Sequence, residues 1–232
     1  MTLRTNEFGQ PIGDEVSTPL PSGRPDSSPM VGRSCSLTGF RPDEHAAALH
    51  LAFPEAFDER EWTYLGFGPF DSQADFDGWA STIAGSTDPL FFVIDDGHGP
   101  CGIASLLRIN PDSGSVEVGH IHFAQRLART AAATEAMFLM MQRVFDAGYR
   151  RYEWKCDALN AGSRSAASRL GFSFEGVFRQ ATTYKGRNRD TAWYSVIDTE
   201  WPARRAEFER WLDPENFDAD GVQRTPLRHA VD

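Results

Sequence analysis

The chain has few cysteines and no pattern among them. Cys35, Cys101 and Cys156 are three in 232 residues, an odd count without metal or redox spacing. They read as reduced thiols in a cytoplasmic protein, outside any disulfide framework. Long apolar runs are also missing. No stretch approaches the roughly 20 residues of a membrane span. The N-terminus carries no apolar h-region, so neither a membrane anchor nor a secretory leader is expected. Cations are in deficit, 23 Lys+Arg against 33 Asp+Glu for a net charge of −10. That balance disfavours a nucleic-acid partner, because duplex phosphates reward a broad basic face. No internal repeat is present.

What the chain does have is a substantial apolar inventory, 41% hydrophobic with 17 Phe and 6 Trp, enough for a proper core. Its length suits one large domain with tails. Residues 1–32 are rich in Pro, Gly, Ser and Asp and read as a disordered or loosely attached arm. Residues 33–212 read as the folded domain, and 213–232 as a tail. The few cations are concentrated. Residues 126–189 carry 12 Lys+Arg against 5 Asp+Glu, a local +7, while the remainder carries 11 against 28. Such gathering in an acidic chain fits a small polyanionic ligand.

Periodicity predicts alternating elements. Strands are expected at Ser34–Phe40, Leu90–Asp95, Gly102–Ile109, Ser115–Phe123, Tyr149–Asp157, Gly176–Lys185 and Thr191–Asp198. The last two are joined by a turn over Gly186–Asp190. Helices are expected at Pro42–Ala52, Ser72–Gly85, Thr130–Gly148, from Asn160 to Gly171, and at Pro202–Leu212. Glu61–Phe70 is aromatic and Gly/Pro-containing, which suits an ordered loop. A strand meander followed by helix, strand, helix and two strands is an α/β (α+β) arrangement. It implies a mixed, largely antiparallel central sheet of six to seven strands flanked by helices.

The most informative stretch runs from Asn160 through Ser163 to Gly171-Phe172. Asn160 suits an N-cap and Gly171 a C-terminal stop. A capped helix start aims free N–H groups and partial positive charge into a cleft at the strand end before it. Three further pieces stand in order around it: Glu117-Val-Gly119-His120, Ala133-Thr134-Glu135-Ala136, and Gly171-Phe172-x-x-Glu175-Gly176. Together with Asn160-x-x-Ser163 this set resembles the GNAT (Gcn5-related N-acetyltransferase) superfamily, in particular its RimL/RimJ-like branch, over roughly residues 34–200. The pyrophosphate loop of that family is Gln/Arg-x-x-Gly-x-Gly/Ala. The matching run here is Arg126-Leu-Ala-Arg129-Thr130-Ala131, with arginine in place of the central glycine. Arg129 can meet a phosphate through its side chain or obstruct the loop.

The resemblance implies an acetyl-CoA-dependent N-acetyltransferase that acts on a primary amine, a protein N-terminus or a small molecule, by direct attack in a ternary complex. The alternative is an inactive CoA-binding or interaction module of the same fold. Cofactor contacts are implied at Ile121, His122, Phe123, Arg126, Arg129, Thr130, Ala131, Asn160, Ser163 and Arg169. Ser163 is the candidate acid for the CoA thiolate, since the tyrosine common on this helix is replaced by Ala167; it equally suits a helix cap. Glu117 is the candidate base and His120 its rival, while Glu117 also suits a structural ion pair. Strand parity sets Glu117, Gly119, Ile121 and Phe123 on one face and Val118, His120 and His122 on the other. His120-x-His122 has a spacing metal sites use, but no third ligand is placed, so no metal is expected. Glu135 reads as a structural acid of the long helix's first turn. Trp62, Tyr64 and Phe67, with Phe70, suggest an aromatic acceptor wall or a hydrophobic plug. Lys155, Arg179, Arg187 and Arg189 suit a carboxylate on the acceptor. No nucleic-acid or membrane partner is expected, and the protein is read as a monomer or homodimer.

Overall fold

The computed structural model describes residues 4–16, 19–21, 23–53 and 59–229. Residues 1–3, 17–18 and 22 of the N-terminal arm and 230–232 of the tail lie outside the described residues.

Two short strands, β1 (Arg4–Thr5) and β2 (Pro11–Ile12), pair with each other alone. The main sheet has eight strands: β3 (Met30–Val31), β4 (Ser36–Gly39), β5 (Leu90–Asp95), β6 (Pro100–Asn110), β7 (Ser115–Phe123), β8 (Arg151–Asp157), β9 (Ser173–Tyr184) and β10 (Arg187–Ile197). Their order is β3-β4-β5-β6-β7-β8-β10-β9. Every neighbouring pair is antiparallel except β7–β8. The helices are α1 (Pro42–Ala52), α2 (Gln73–Ile83), α3 (Ala131–Asp146), α4 (Ala161–Arg169) and α5 (Trp201–Leu212). The eighth strand is β3, whose two residues are too short to carry a readable alternation.

The β9–β10 hairpin is longer than its sequence suggests. The polar run Arg187–Asp190 reads as a turn, yet it is strand. The connection is only Lys185-Gly186, both with positive φ (48° and 71°). Two central residues of that kind make the tight turn that suits the twist of paired strands. The hairpin's largely exposed outer strand tolerates polar residues, which hid it.

α3 is the spine. Thr130 caps it by accepting from the Ala133 N–H at 3.1 Å, and Ala136, Met140, Met141 and Val144 are fully buried. Each such Met or Val side chain contributes about 1.5–3 kcal/mol of burial. Glu135 does not sit in the first turn as a dipole partner. It is buried one turn on, and accepts from Arg33 N–H at 2.8 Å and Ser34 N–H at 2.6 Å. A side chain at Gly32 would meet the carboxylate at 2.5 Å. Glu135 therefore fastens the start of β4 to α3, a structural task.

Both terminal segments contact this body. Arg143 of α3 pairs with Asp26 at 2.8 Å and donates to the Ser28 and Pro29 carbonyls. Tyr149 donates to Gly23 O at 2.9 Å. At the other end Asn216 is held by Trp211 O and Thr225 O, and Leu227 is buried. All three cysteines are buried and free. Burial raises the pKa of each thiol, that of Cys101 to about 11. No helix among the described residues is long and apolar enough to cross a membrane.

Candidate active site

The parallel pair β7–β8 is registered only from Ser115–Arg151 to Val118–Trp154. Beyond it the two strands separate, β7 running on to Phe123 and β8 to Asp157. The cause lies in β7. Between Gly119 and His122 it places three steps opposite two steps of β6, and the extra residue, His120, takes φ +50°. A bulge of this kind bends its strand and re-aims side chains. The β8-facing backbone groups of residues 119–123 are left without a strand partner. A cavity of about 780 Å³ fills the wedge, with the start of α4 at its side.

The bulge overturns the simple parity expectation. Glu117, His120 and His122 all reach the wall of this one cavity. His120 lies over Phe67 (ring centroids 6.1 Å) and Phe91 (5.1 Å), and its Nδ1 is 2.8 Å from Ser105 Oγ. Where Ser105 donates its hydroxyl proton to Gly119 O at 3.3 Å, it accepts from His120 Nδ1–H, one of the two tautomers the 2.8 Å contact allows. Nε2 is then the unprotonated nitrogen, with no partner among the described residues. Burial, and then Arg108, lower the His120 pKa below 6.5. His122 is different. Its ring is packed between Phe53 (4.4 Å) and Trp62 (4.2 Å), and burial pushes its pKa down to about 4. Both effects favour its neutral form, wedged between the two rings. Among the described residues no group of three His, Cys, Asp or Glu is placed to hold a metal.

Glu117 is buried and ion-paired on two sides, to Lys155 Nζ at 2.9 Å and to Arg108 at 3.3 Å. Burial raises its pKa above 4.5 against the pull of both cations. Lys155 also reaches Glu153 at 2.7 Å and lies 3.7 Å over the Trp193 ring. Lys155 lines the cavity, and its charge is engaged inside this cluster.

On the opposite wall, Asn160 Oδ1 caps α4 by accepting from Ser163 N–H at 3.0 Å. Ser163 Oγ accepts from the Trp154 indole N–H at 3.0 Å. Indole only donates, so the Ser163 proton remains free to donate elsewhere.

Of the aromatic loop, Tyr64 and Phe67 line the cavity while Trp62 does not. Trp62 is buried against Phe67, Phe70 and His122, and is the plug beneath the wall. Arg179 points away from the cavity and is exposed; Arg189 lines it instead. Arg169 is likewise absent from the wall, held by Thr134 Oγ1 at 3.0 Å and stacked over Trp211.

Arg126, Arg129, Thr130 and Ala131 form the turn from β7 into α3, outside the cavity wall. Arg126 is tied to Asp96 at 3.0 Å and to Gly99 O at 2.6 Å. Arg129 has φ +66°, the left-handed conformation that explains why glycine is usual there. The local backbone keeps its shape despite the arginine. Arg129→Val is expected to cost about 1–2 kcal/mol, while Arg129→Gly costs nothing measurable, since a β-branched residue is the worst occupant of that region. Thermal unfolding of both variants checks this.

The whole arrangement fits acetyl-CoA. The unpaired β7 edge offers backbone donors and acceptors to an amide-bearing arm. The two helix starts, α3 and α4, offer N–H groups and positive potential. The acetyltransferase (GNAT) domain family matches residues 36–173. A GCN5-related N-acetyltransferase from Brucella melitensis is 44% identical, with a TM-score of 0.87 over 90% of this chain and 96% of that one. A probable GNAT-family acetyltransferase from Chromobacterium violaceum is 36% identical, with a TM-score of 0.77 over 84% and 98%. RimL, a ribosomal L7/L12 α-N-protein acetyltransferase, is 20% identical with a TM-score of 0.62 over 72% and 92%, a likeness of fold alone. No protein of curated function matches the chain.

Proposed function

The chain belongs to the GNAT acetyltransferase family and is an acyltransferase, and from that premise we propose that it transfers acetyl from acetyl-CoA to a primary amine held between β7 and β8. The observation that carries this is the wedge with His120 Nε2 on one wall and the Ser163 hydroxyl on the other. His120 accepts the proton that the amine loses as its lone pair forms the C–N bond. The C–S bond breaks with its electron pair leaving on sulfur, and Ser163 Oγ–H donates a hydrogen bond to that thiolate, which takes its proton from solvent. Glu117 serves chiefly to hold Lys155 and Arg108. The β7 edge from Ile121 to Phe123 and the Asn160 carboxamide orient the donor's arm. Motifs at 117–120, 133–136 and 160–176 favour the RimL-like branch.

Titration calorimetry with acetyl-CoA, followed by a CoA-release assay over a panel of amines, tests this reading. Micromolar binding and turnover, with turnover lowered by about tenfold or more in Ser163→Ala, are expected. Binding without turnover across the panel would return the protein to a CoA-binding module.

A further inference from the structure

Among the described residues, the charged side chains on the cavity wall are ion-paired, hydrogen-bonded or exposed at the mouth, except Arg189. Glu117 is paired with Lys155 and Arg108. Asp157 accepts from Tyr184 OH at 2.8 Å and from Leu159 N–H at 2.8 Å. Glu61 is exposed at the mouth. Arg189 is half-buried on the cavity wall, yet its side chain has no ion pair or hydrogen bond among the described residues. Its Nε is fully buried and unpartnered. Its guanidinium carbon lies over the Tyr184 ring, 5.9 Å from the centroid. A buried N–H of a guanidinium without an acceptor is costly. Such a group persists at a binding wall when a ligand supplies the acceptor.

The backbone explains why Arg189 faces inward. The β9–β10 register shifts between Arg189 and Thr191, opposite Gln180 with φ +51°. Asp190 fastens this irregularity by accepting from Gln180 N–H at 2.7 Å and Asn188 at 3.0 Å. Arg189, Thr191 and Trp193 then lie on one side of β10 and all line the cavity. Tyr64, Phe178 and Trp193 supply an apolar, aromatic surround there. The hairpin tip is tied across the site, Lys185 Nζ donating to Trp62 O at 2.7 Å. Arg189 thus lies near a hairpin tip that is tied to the aromatic loop.

We propose that Arg189 receives a carboxylate of the acceptor, so that the acceptor is a small molecule carrying both an amine and a carboxylate, a free amino acid or a short peptide with a free C-terminus. This rests on the acetyl-transfer reading for the position of the amine. A planar guanidinium binds a carboxylate through paired N–H donors. A site built around that pairing rejects the neutral analogue strongly, because the arginine is then left unpaired.

The test compares free amino acids with their carboxamides, by CoA release and by calorimetric titration into the CoA-saturated protein. The acids are expected to exceed their amides by about tenfold or more in kcat/KM and in affinity. Arg189→Gln is expected to reduce that ratio to within about threefold, with Arg189→Lys keeping part of it and the KM for acetyl-CoA unmoved. Equal use of acid and amide, an unchanged ratio in Arg189→Gln, or no binding of either class overturns the proposal. A rise confined to the acetyl-CoA KM also overturns it, by assigning Arg189 to the donor. Arg189-dependent binding of acids without any turnover supports it and sinks the acetyl-transfer reading instead.

Discussion

Replacing His120 by Gln is expected to lower kcat by about two to four orders of magnitude, the usual worth of a positioned general base. Binding of acetyl-CoA should stay within about twofold, because in the proposed complex that arm meets β7 backbone rather than the imidazole. The pH profile identifies the group. Burial and Arg108 both disfavour the imidazolium, so the His120 pKa lies below 6.5. The base works in its neutral form. The rate therefore falls as pH drops through that lowered pKa, and is flat above it until the acceptor's own ionisation intervenes. In His120→Gln this acid limb should vanish from the residual rate. Glu117→Gln should retain it, since Glu117 is engaged by Lys155 and Arg108. If His120→Gln keeps more than about a third of wild-type kcat, or if the limb disappears only in Glu117→Gln, the base is the carboxylate.

How much of this was legible in the sequence depends on the kind of information involved. The order of elements, the α3 and α4 caps at Thr130 and Asn160, and the strand–helix site around Ser163 follow from local chemistry: a hydroxyl or carboxamide before a helical run, glycine after it. Fold class followed from that order. What stayed hidden is register. Alternation along β7 gives the wrong face for His120 because a bulge adds one residue, and no single residue type announces a bulge formed by histidine at positive φ. The choice between Arg179 and Arg189 is a second case. Both lie in one basic hairpin, and only the shift beside Gln180 sends Arg189 to the cavity. Trp62 is a third. Its neighbours in sequence face the cavity while it plugs the core, a division set by packing against Phe53, Phe70 and His122. The conformation of the 126–131 loop was legible in a less direct way. Arg129 departs from the family residue but adopts the conformation that residue would take.

Lys155→Met is expected to destabilise the fold by about 3–5 kcal/mol at neutral pH, the cost of leaving a buried charge without its partner. Lys155 is 4% exposed in its side chain and lies between Glu117 at 2.9 Å and Glu153 at 2.7 Å. Arg151 still serves Glu153, and the exposed Arg108 serves Glu117 only weakly through solvent. The sign of the pH dependence follows from the two carboxylates. Glu117 already has a folded pKa above 4.5. It therefore favours the folded state most below 4.5, and that contribution is lost as pH rises through the folded value. Glu153 is held below 4.5 in part by Lys155, and its stabilisation is present above 4.5 and lost as pH falls. Removing Lys155 moves both pKa values upward. The variant's deficit is then largest at neutral pH and shrinks as pH falls toward 4.5, where Glu117 can protonate and the buried charge disappears. Urea unfolding of variant and wild type at neutral pH and near 5 measures this directly. A deficit of equal size at both would mean that Lys155 stabilises through its stem and its contact over Trp193, and that the cluster holding Glu117 is indifferent to its charge.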